Sequence, residues 1–77
     1  MTELKIKLES LNSVNAFVAA AQKKDYDIDL MQGKYLVNAK SIMGIFSLDL
    51  TKPLTLRFCV KDDDFLGDIK NYIVNEW

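Results

Sequence analysis

The stretch Val37-Asn38-Ala39-Lys40-Ser41-Ile42-Met43-Gly44-Ile45-Phe46-Ser47-Leu48 changes character in its middle. Its first residues read as the end of a strand, Ala39 and Lys40 make a junction, and Ile42, Ile45 and Phe46 then fall at helical spacing. Ser41 stands just before that spacing, where a helix N-cap belongs, and its hydroxyl can accept a bond from a free amide of the first turn. Those amides and the helix dipole also favour negative charge, so the same position suits a phosphate. A cap is sufficient reason for a serine here, and a phosphorylation site is a second reading of the same residue.

Working outward, residues 34 to 39 read as a strand that follows a turn at Gln32-Gly33, where the glycine can take positive φ. Before the turn, Tyr26, Ile28 and Leu30 alternate with Asp27 and Asp29 as a second strand. Val14, Phe17, Val18 and Ala21 fall at i, i+3, i+4 and i+7, which predicts a helix capped by Asn12 or Ser13 and ending near Lys23 or Lys24. At the N-terminus, Leu4, Ile6 and Leu8 alternate with Lys5, Lys7 and Glu9. Beyond the short helix, which fades over Ser47 to Leu50, Pro53 belongs in a connection. Leu54, Leu56, Phe58 and Val60 then alternate with Thr55, Arg57 and Cys59 as the cleanest strand of the chain. Asp62-Asp63-Asp64 opens a last helix whose buried face is Phe65, Ile69, Tyr72 and Ile73, with Trp77 extending that line.

The element order is βαββαβα. Four strands, each with one apolar face, predict a four-stranded antiparallel sheet with three helices on one face, an α+β open-faced sandwich. The pattern alone also allows a ferredoxin-like arrangement. The length of 77 residues predicts a single domain over 1–77, and an apolar fraction of 49% suffices for a core.

Ten basic and eleven acidic residues nearly cancel and intermix, which argues against nucleic-acid binding. No segment reaches the length of a membrane span, and Met-Thr-Glu-Leu-Lys-Ile at the start lacks the apolar run of a signal peptide. With no Cys/His cluster and no glycine-rich phosphate loop, no metal or cofactor is expected. Three adjacent aspartates lack the alternating spacing of a calcium loop, and a helix start explains them. Cys59 is the single cysteine and alternates away from the apolar face, an ordinary half-buried thiol rather than a reactive one.

Gly33-Lys34, then Asn38-Ala39-Lys40-Ser41-Ile42-Met43-Gly44 with Ser47-Leu48 following, resemble the histidine-containing phosphocarrier protein (HPr) of the sugar phosphotransferase system, especially forms from Gram-positive bacteria. The resemblance implies the HPr-like fold and a bacterial, cytoplasmic protein. It also implies that Ser41 is a regulatory site for an ATP-dependent kinase. In the family, a Leu-His-x-Arg-Pro-Ala type motif opens the first helix, and its histidine carries the phosphoryl group. Here that stretch is Glu9-Ser10-Leu11-Asn12-Ser13-Val14-Asn15-Ala16-Phe17, and the chain contains no histidine at all. The replaced position falls between Ser10 and Asn12, and the only arginine, Arg57, lies on the outward side of a distant strand. Phosphohistidine transfer is therefore excluded, and no catalytic residue is assigned. Relative to the family spacing, Gly33 to Asn38 holds one residue more, around Tyr35-Leu36, which implies a bulge or a shifted hairpin turn.

The resemblance further implies that Lys40, Ile42, Met43 and Phe46 form a surface for protein partners. Those partners would be an HPr kinase, a carbon-metabolism regulator or phosphotransferase-system enzymes. Ile42, Ile45 and Phe46 equally suit the buried face of the helix, whereas Met43 is the best exposed contact, since its side chain adapts to partners. The expected function is that of a non-catalytic HPr-like regulator, not an enzyme, similar to the catabolite-repression relatives that keep the serine and lack the histidine. Two alternatives stand beside it: a small ligand-binding regulatory domain of similar topology, and a degenerate scaffold in which the serine segment serves folding only.

Overall fold

Leu54, Leu56 and Phe58 alternate with Thr55 and Arg57, and in the computed structural model, which describes residues 1–74, they form β4 (Leu54–Phe58). β4 lies in the middle of the sheet. It pairs antiparallel with β1 (Thr2–Ile6) on one side and β2 (Ile28–Gln32) on the other, and β2 pairs antiparallel with β3 (Tyr35–Asn38). The strand order is β1-β4-β2-β3. Three helices complete the βαββαβα order: α1 (Leu11–Gln22), α2 (Ile42–Phe46) and α3 (Asp63–Ile69). This is the α+β open-faced sandwich that the alternation predicts, and the ferredoxin-like order is not adopted.

The register places apolar residues opposite one another on the helix side. Leu4 faces Leu56, Ile6 faces Leu54, Leu30 faces Leu56 and Ile28 faces Phe58. Val14, Phe17, Val18 and Ala21 of α1 and Phe65 and Ile69 of α3 close over them in one buried cluster. The rings of Phe17, Phe58 and Phe65 are its centre, with Phe58 and Phe65 edge to face at 5.4 Å and Phe17 tilted against Phe65 at 6.3 Å. Burial of each such side chain contributes about 1.5–3 kcal/mol. The opposite face of the sheet is mostly polar, with Met31 and Leu36 paired at one side of it: Arg57 stands between Glu3 and Asp29, 3.9 Å from the Asp29 carboxylate, and Lys5 Nζ donates to Thr55 Oγ1 at 2.8 Å.

Several element ends differ from expectation. α1 is capped by Ser10, not by Asn12 or Ser13: Ser10 is extended (φ −140°, ψ 162°) and its hydroxyl accepts the Ser13 amide at 3.1 Å. The helix thus begins with the apolar Leu11, which lies outside the four-residue stripe that marked the helix. Both β2 and β4 stop where partners run out. Phe58 pairs with Thr2 and with Ile28, so Tyr26 and Val60 fall outside the strands, and Val60 is 39% exposed rather than inward. Leu8 is buried although β1 ends at Ile6.

The β2–β3 hairpin is regular. Gln32 pairs with Tyr35 around a two-residue turn, and the ladder runs unbroken to Asp29–Asn38, so there is no bulge at Tyr35-Leu36. Gly33 has φ +58° and Lys34 does not have positive φ, the pattern of a type II′ turn.

The last helix is shorter than its apolar spacing predicts. α3 ends at Ile69, a 3₁₀ turn covers Lys70–Tyr72, and Ile73 forms an antiparallel bridge to Ile6. Lys7 N donates to Tyr72 O at 2.8 Å and Val74 N to Lys5 O at 2.9 Å. The unpaired edge of β1 takes the β-branched pair Ile73-Val74 as a partner, satisfying backbone groups that a longer helix would leave open. Trp77 lies outside the described residues. Asp62 to Asp64 serve as the helix start: Asp62 is the N-cap, accepting the Phe65 amide at 3.0 Å, and Asp63 and Asp64 occupy the first turn.

Candidate functional site

The junction between β3 and α2 is built from the backbone outward. Ala39 is fully buried and its amide donates to Ile28 O at 2.9 Å, which ends β3 against β2. Asn38 then turns the chain: its side-chain Oδ1 accepts the Lys40 amide at 2.8 Å and its carbonyl accepts the Ser41 amide at 3.0 Å. Ser41 is extended (φ −104°, ψ 110°) and caps α2, with Oγ accepting the Gly44 amide at 3.2 Å. The Ser41 carbonyl accepts the Ile45 amide at 3.1 Å, so the residue is tied at both ends. A Cβ at Gly44 would stand 3.3 Å from both Ser41 Oγ and Val37 Cβ, a tight contact to which those side chains would have to yield.

Ser41 is half-buried. Its hydroxyl gives one lone pair to the Gly44 amide and keeps its own proton and the second lone pair. That leaves the oxygen available to an approaching electrophile, but no base stands among its hydrogen-bond partners to activate it.

The expected partner-surface residues separate. Met43 is 77% exposed and Phe46 45% exposed, both on the outer side of α2. Ile45 is fully buried, and Ile42 is half-buried against the core. Lys40 is not splayed into solvent: its Nζ donates to Lys24 O, just beyond the end of α1, at 2.6 Å, and its carbonyl accepts Gln22 Nε2 at 3.1 Å. Neither Gln22 nor Lys24 is singled out for this contact by the sequence, since a single sequence carries no signal for contacts between residues 16 and 18 positions apart that meet only through folding.

At the start of α1, where the resemblance implies that the replaced histidine falls, are Ser10, Leu11 and Asn12. The Ser10 and Ser13 hydroxyls lie 3.0 Å apart, and Ser10 is occupied as the cap. Leu11 is 61% exposed, an apolar side chain open to solvent that sequence reasoning did not single out. Its only signal was an apolar residue directly after a capping serine. Arg57 is on the open face of the sheet with Asp29, on the side away from the helices. Cys59 is exposed.

A second polar cluster fixes the start of α3. Asp62 Oδ2 accepts Tyr26 OH at 2.9 Å and faces Lys24 Nζ at 3.1 Å, while Oδ1 holds the Phe65 amide. The bond from the Phe65 amide, with those from Lys24 and Tyr26, holds the Asp62 carboxyl below the usual carboxylate range. Burial first, and then the bond to Asp62, raise the Tyr26 phenol. Two open grooves, of about 640 Å³ beside Lys7, Glu9 and Leu48–Thr51 and about 580 Å³ beside Gln32–Tyr35, Asp49 and Lys52, include neither Ser41 nor Lys40 in their linings. Among the described residues, no cluster of three metal-ligating side chains occurs and no helix is long and apolar enough to cross a membrane.

The family model described as the PTS HPr component phosphorylation site matches residues 10–73. Among solved structures, the chain is similar to HPr-C-His from Thermoanaerobacter tengcongensis at 25% identity and a TM-score of 0.75, covering 92% of this chain and 89% of that one. It is similar in fold to the phosphocarrier protein HPr from Bacillus anthracis, at 24% identity and a TM-score of 0.70 over 95% of this chain and 96% of that one. A histidine-containing phosphocarrier protein of Mycoplasma follows at 19% identity and a TM-score of 0.67, over 91% and 86%. No curated protein matches the sequence.

Proposed function

The chain belongs to the HPr family, and from that premise we propose that it is a non-catalytic relative of the phosphocarrier, acting through protein contacts and switched by phosphorylation of Ser41. The family's members are phosphocarrier proteins that work with the enzymes of the phosphotransferase system, not enzymes themselves. The observation that carries the reading is a serine at the β3–α2 junction with a free lone pair and proton, in a chain that has no histidine.

Without an imidazole, the start of α1 has no nucleophile suited to phosphoryl transfer: a serine hydroxyl without a base is a poor one, and Glu9 repels an incoming phosphate. At Ser41 the activation comes from outside. The hydroxyl oxygen attacks the γ-phosphorus of ATP, the bond from that phosphorus to ADP breaks, and the hydroxyl proton passes to a base of the kinase. The product carries about −1.5 to −2 charge and strong acceptor oxygens at the edge of an exposed apolar surface. Met43 and Phe46, with Ile42 behind them, form that surface, and an HPr kinase, a carbon-metabolism regulator or phosphotransferase-system enzymes are the partners it fits. The reading includes a cytoplasmic location, where such partners act.

Intact mass after incubation with an HPr kinase and ATP tests the reading, with Ser41→Ala as control. A gain of one phosphoryl group, absent from the control, is expected. No gain while a histidine-bearing HPr is modified in the same mixture contradicts it. One observation favours a second reading: the bond from the Gly44 amide alone accounts for a serine at the cap, so a scaffold that is never phosphorylated would keep it too. The same experiment separates the two.

A further inference from the structure

All three polar groups of Lys40 are engaged: its amide with Asn38 Oδ1 at 2.8 Å, its carbonyl with Gln22 Nε2 at 3.1 Å and its ammonium with Lys24 O at 2.6 Å. Two of these three bonds anchor the residue before Ser41 to the C-terminal end of α1. Lys40 brings its ammonium to the end of α1 beside Lys23, the C-cap, and Lys24, where cations suit the negative end of the helix dipole. The anchor continues further. Lys24, whose carbonyl receives Lys40, directs its own ammonium to Asp62, the N-cap of α3. Ser41 is thus held from one side by Asn38 and α2, and from the other by a chain of contacts that reaches the end of α1 and the start of α3.

We infer that Lys40 is a positioning residue for Ser41, which docks the phosphorylatable segment on the end of α1 rather than offering its charge to a partner. This role rests on the reading of Ser41 as a kinase substrate. The side chain of Lys40 is directed to a backbone carbonyl, and the order it imposes belongs to the free protein. The consequence is that loss of the ammonium loosens the Ser41–Gly44 segment without loosening the core, and lowers the turnover of the chain by its kinase more than it weakens binding.

Lys40→Met and Lys40→Arg test this, by amide hydrogen exchange on the free protein and by kinase kinetics with ATP. Met keeps the stem and removes the bond, whereas Arg restores a donor for the Lys24 carbonyl. In Lys40→Met, the Ser41 and Gly44 amides should exchange about tenfold faster, as expected for a lost charged hydrogen bond, while the Phe17 and Val18 amides of α1 do not change. The kinase kcat should fall by about the same factor with KM little altered, and Lys40→Arg should recover most of both. Unchanged exchange at Ser41 and Gly44 overturns the positioning role even if the wild-type chain is phosphorylated. A raised KM at unchanged kcat and exchange also overturns it, since it makes Lys40 a direct kinase contact. Failure of the wild-type chain to take phosphate removes the Ser41 reading, and this role with it, a result separable from the others because it appears before any variant is made.

Discussion

Asp62 receives three donors on one carboxylate, from the Phe65 amide, the Tyr26 hydroxyl and the Lys24 ammonium, and so joins the end of α1 to the start of α3. A carboxyl held below its ordinary value of 3.8 favours the folded state above that value, and the gain is lost as pH falls through the depressed folded pKa. Asp62→Asn should therefore be less stable than the wild type at neutral pH. The gap should close in acid, below about pH 4, when urea midpoints are compared across pH. A constant gap would mean that the charge on Asp62 contributes nothing. Tyr26 acts in the opposite sense. Its raised phenol favours folding below its ordinary value of 10.0, and that contribution fades as pH rises beyond it. Serine residues divide in the same way by what they hold. Ser10 carries the cap bond of α1, so Ser10→Ala should cost about 1 kcal/mol in chemical unfolding, and Ser13→Ala distinctly less. The reverse order would return the cap to the position that spacing alone suggests.

At the scale of elements, the alternating strands were legible because alternation and burial have one cause: each strand turns one face to the core. The starts of helices were less legible. Ser10, Asn12 and Ser13 are all good caps, and only the fold decides that Leu11 begins the helix. The ends of β2 and β4 follow from the length of their neighbours, and the end of α3 from the vacant edge of β1, neither of which is written in a local window. The candidate site shows the same division. The cap at Ser41 and the exposure of Met43 could be read from spacing, while the attachment of Lys40 to α1 required the tertiary structure. The hairpin offers a test at this scale. A Cβ on Gly33 meets nothing within 4 Å, so Gly33→Ala changes only the backbone, at φ +58°. It should lower stability by about 1 kcal/mol through the strained turn alone, measured by urea unfolding. No change would show that the turn relaxes to another type.

For the whole molecule, one cluster of apolar side chains holds four strands and three helices together, and a domain of this size has roughly 5 kcal/mol of stability to lose. Phe65 touches Phe17, Tyr26 and Phe58 at ring distances of 5.4–6.5 Å. Phe65→Ala should cost roughly 3–5 kcal/mol and leave much of the population unfolded at room temperature, visible as lost dispersion in a proton spectrum. The family's fold is thus kept by a chain that has no histidine, and the chemistry proposed for it is concentrated at Ser41. The most direct test offers the protein both phosphoryl donors separately: phosphoenolpyruvate with the enzyme that uses it in the phosphotransferase system, and ATP with an HPr kinase. The account predicts no label from phosphoenolpyruvate and one acid-stable phosphoryl group from ATP, lost in Ser41→Ala. Label from phosphoenolpyruvate, or no Ser41-dependent label from ATP, would contradict it.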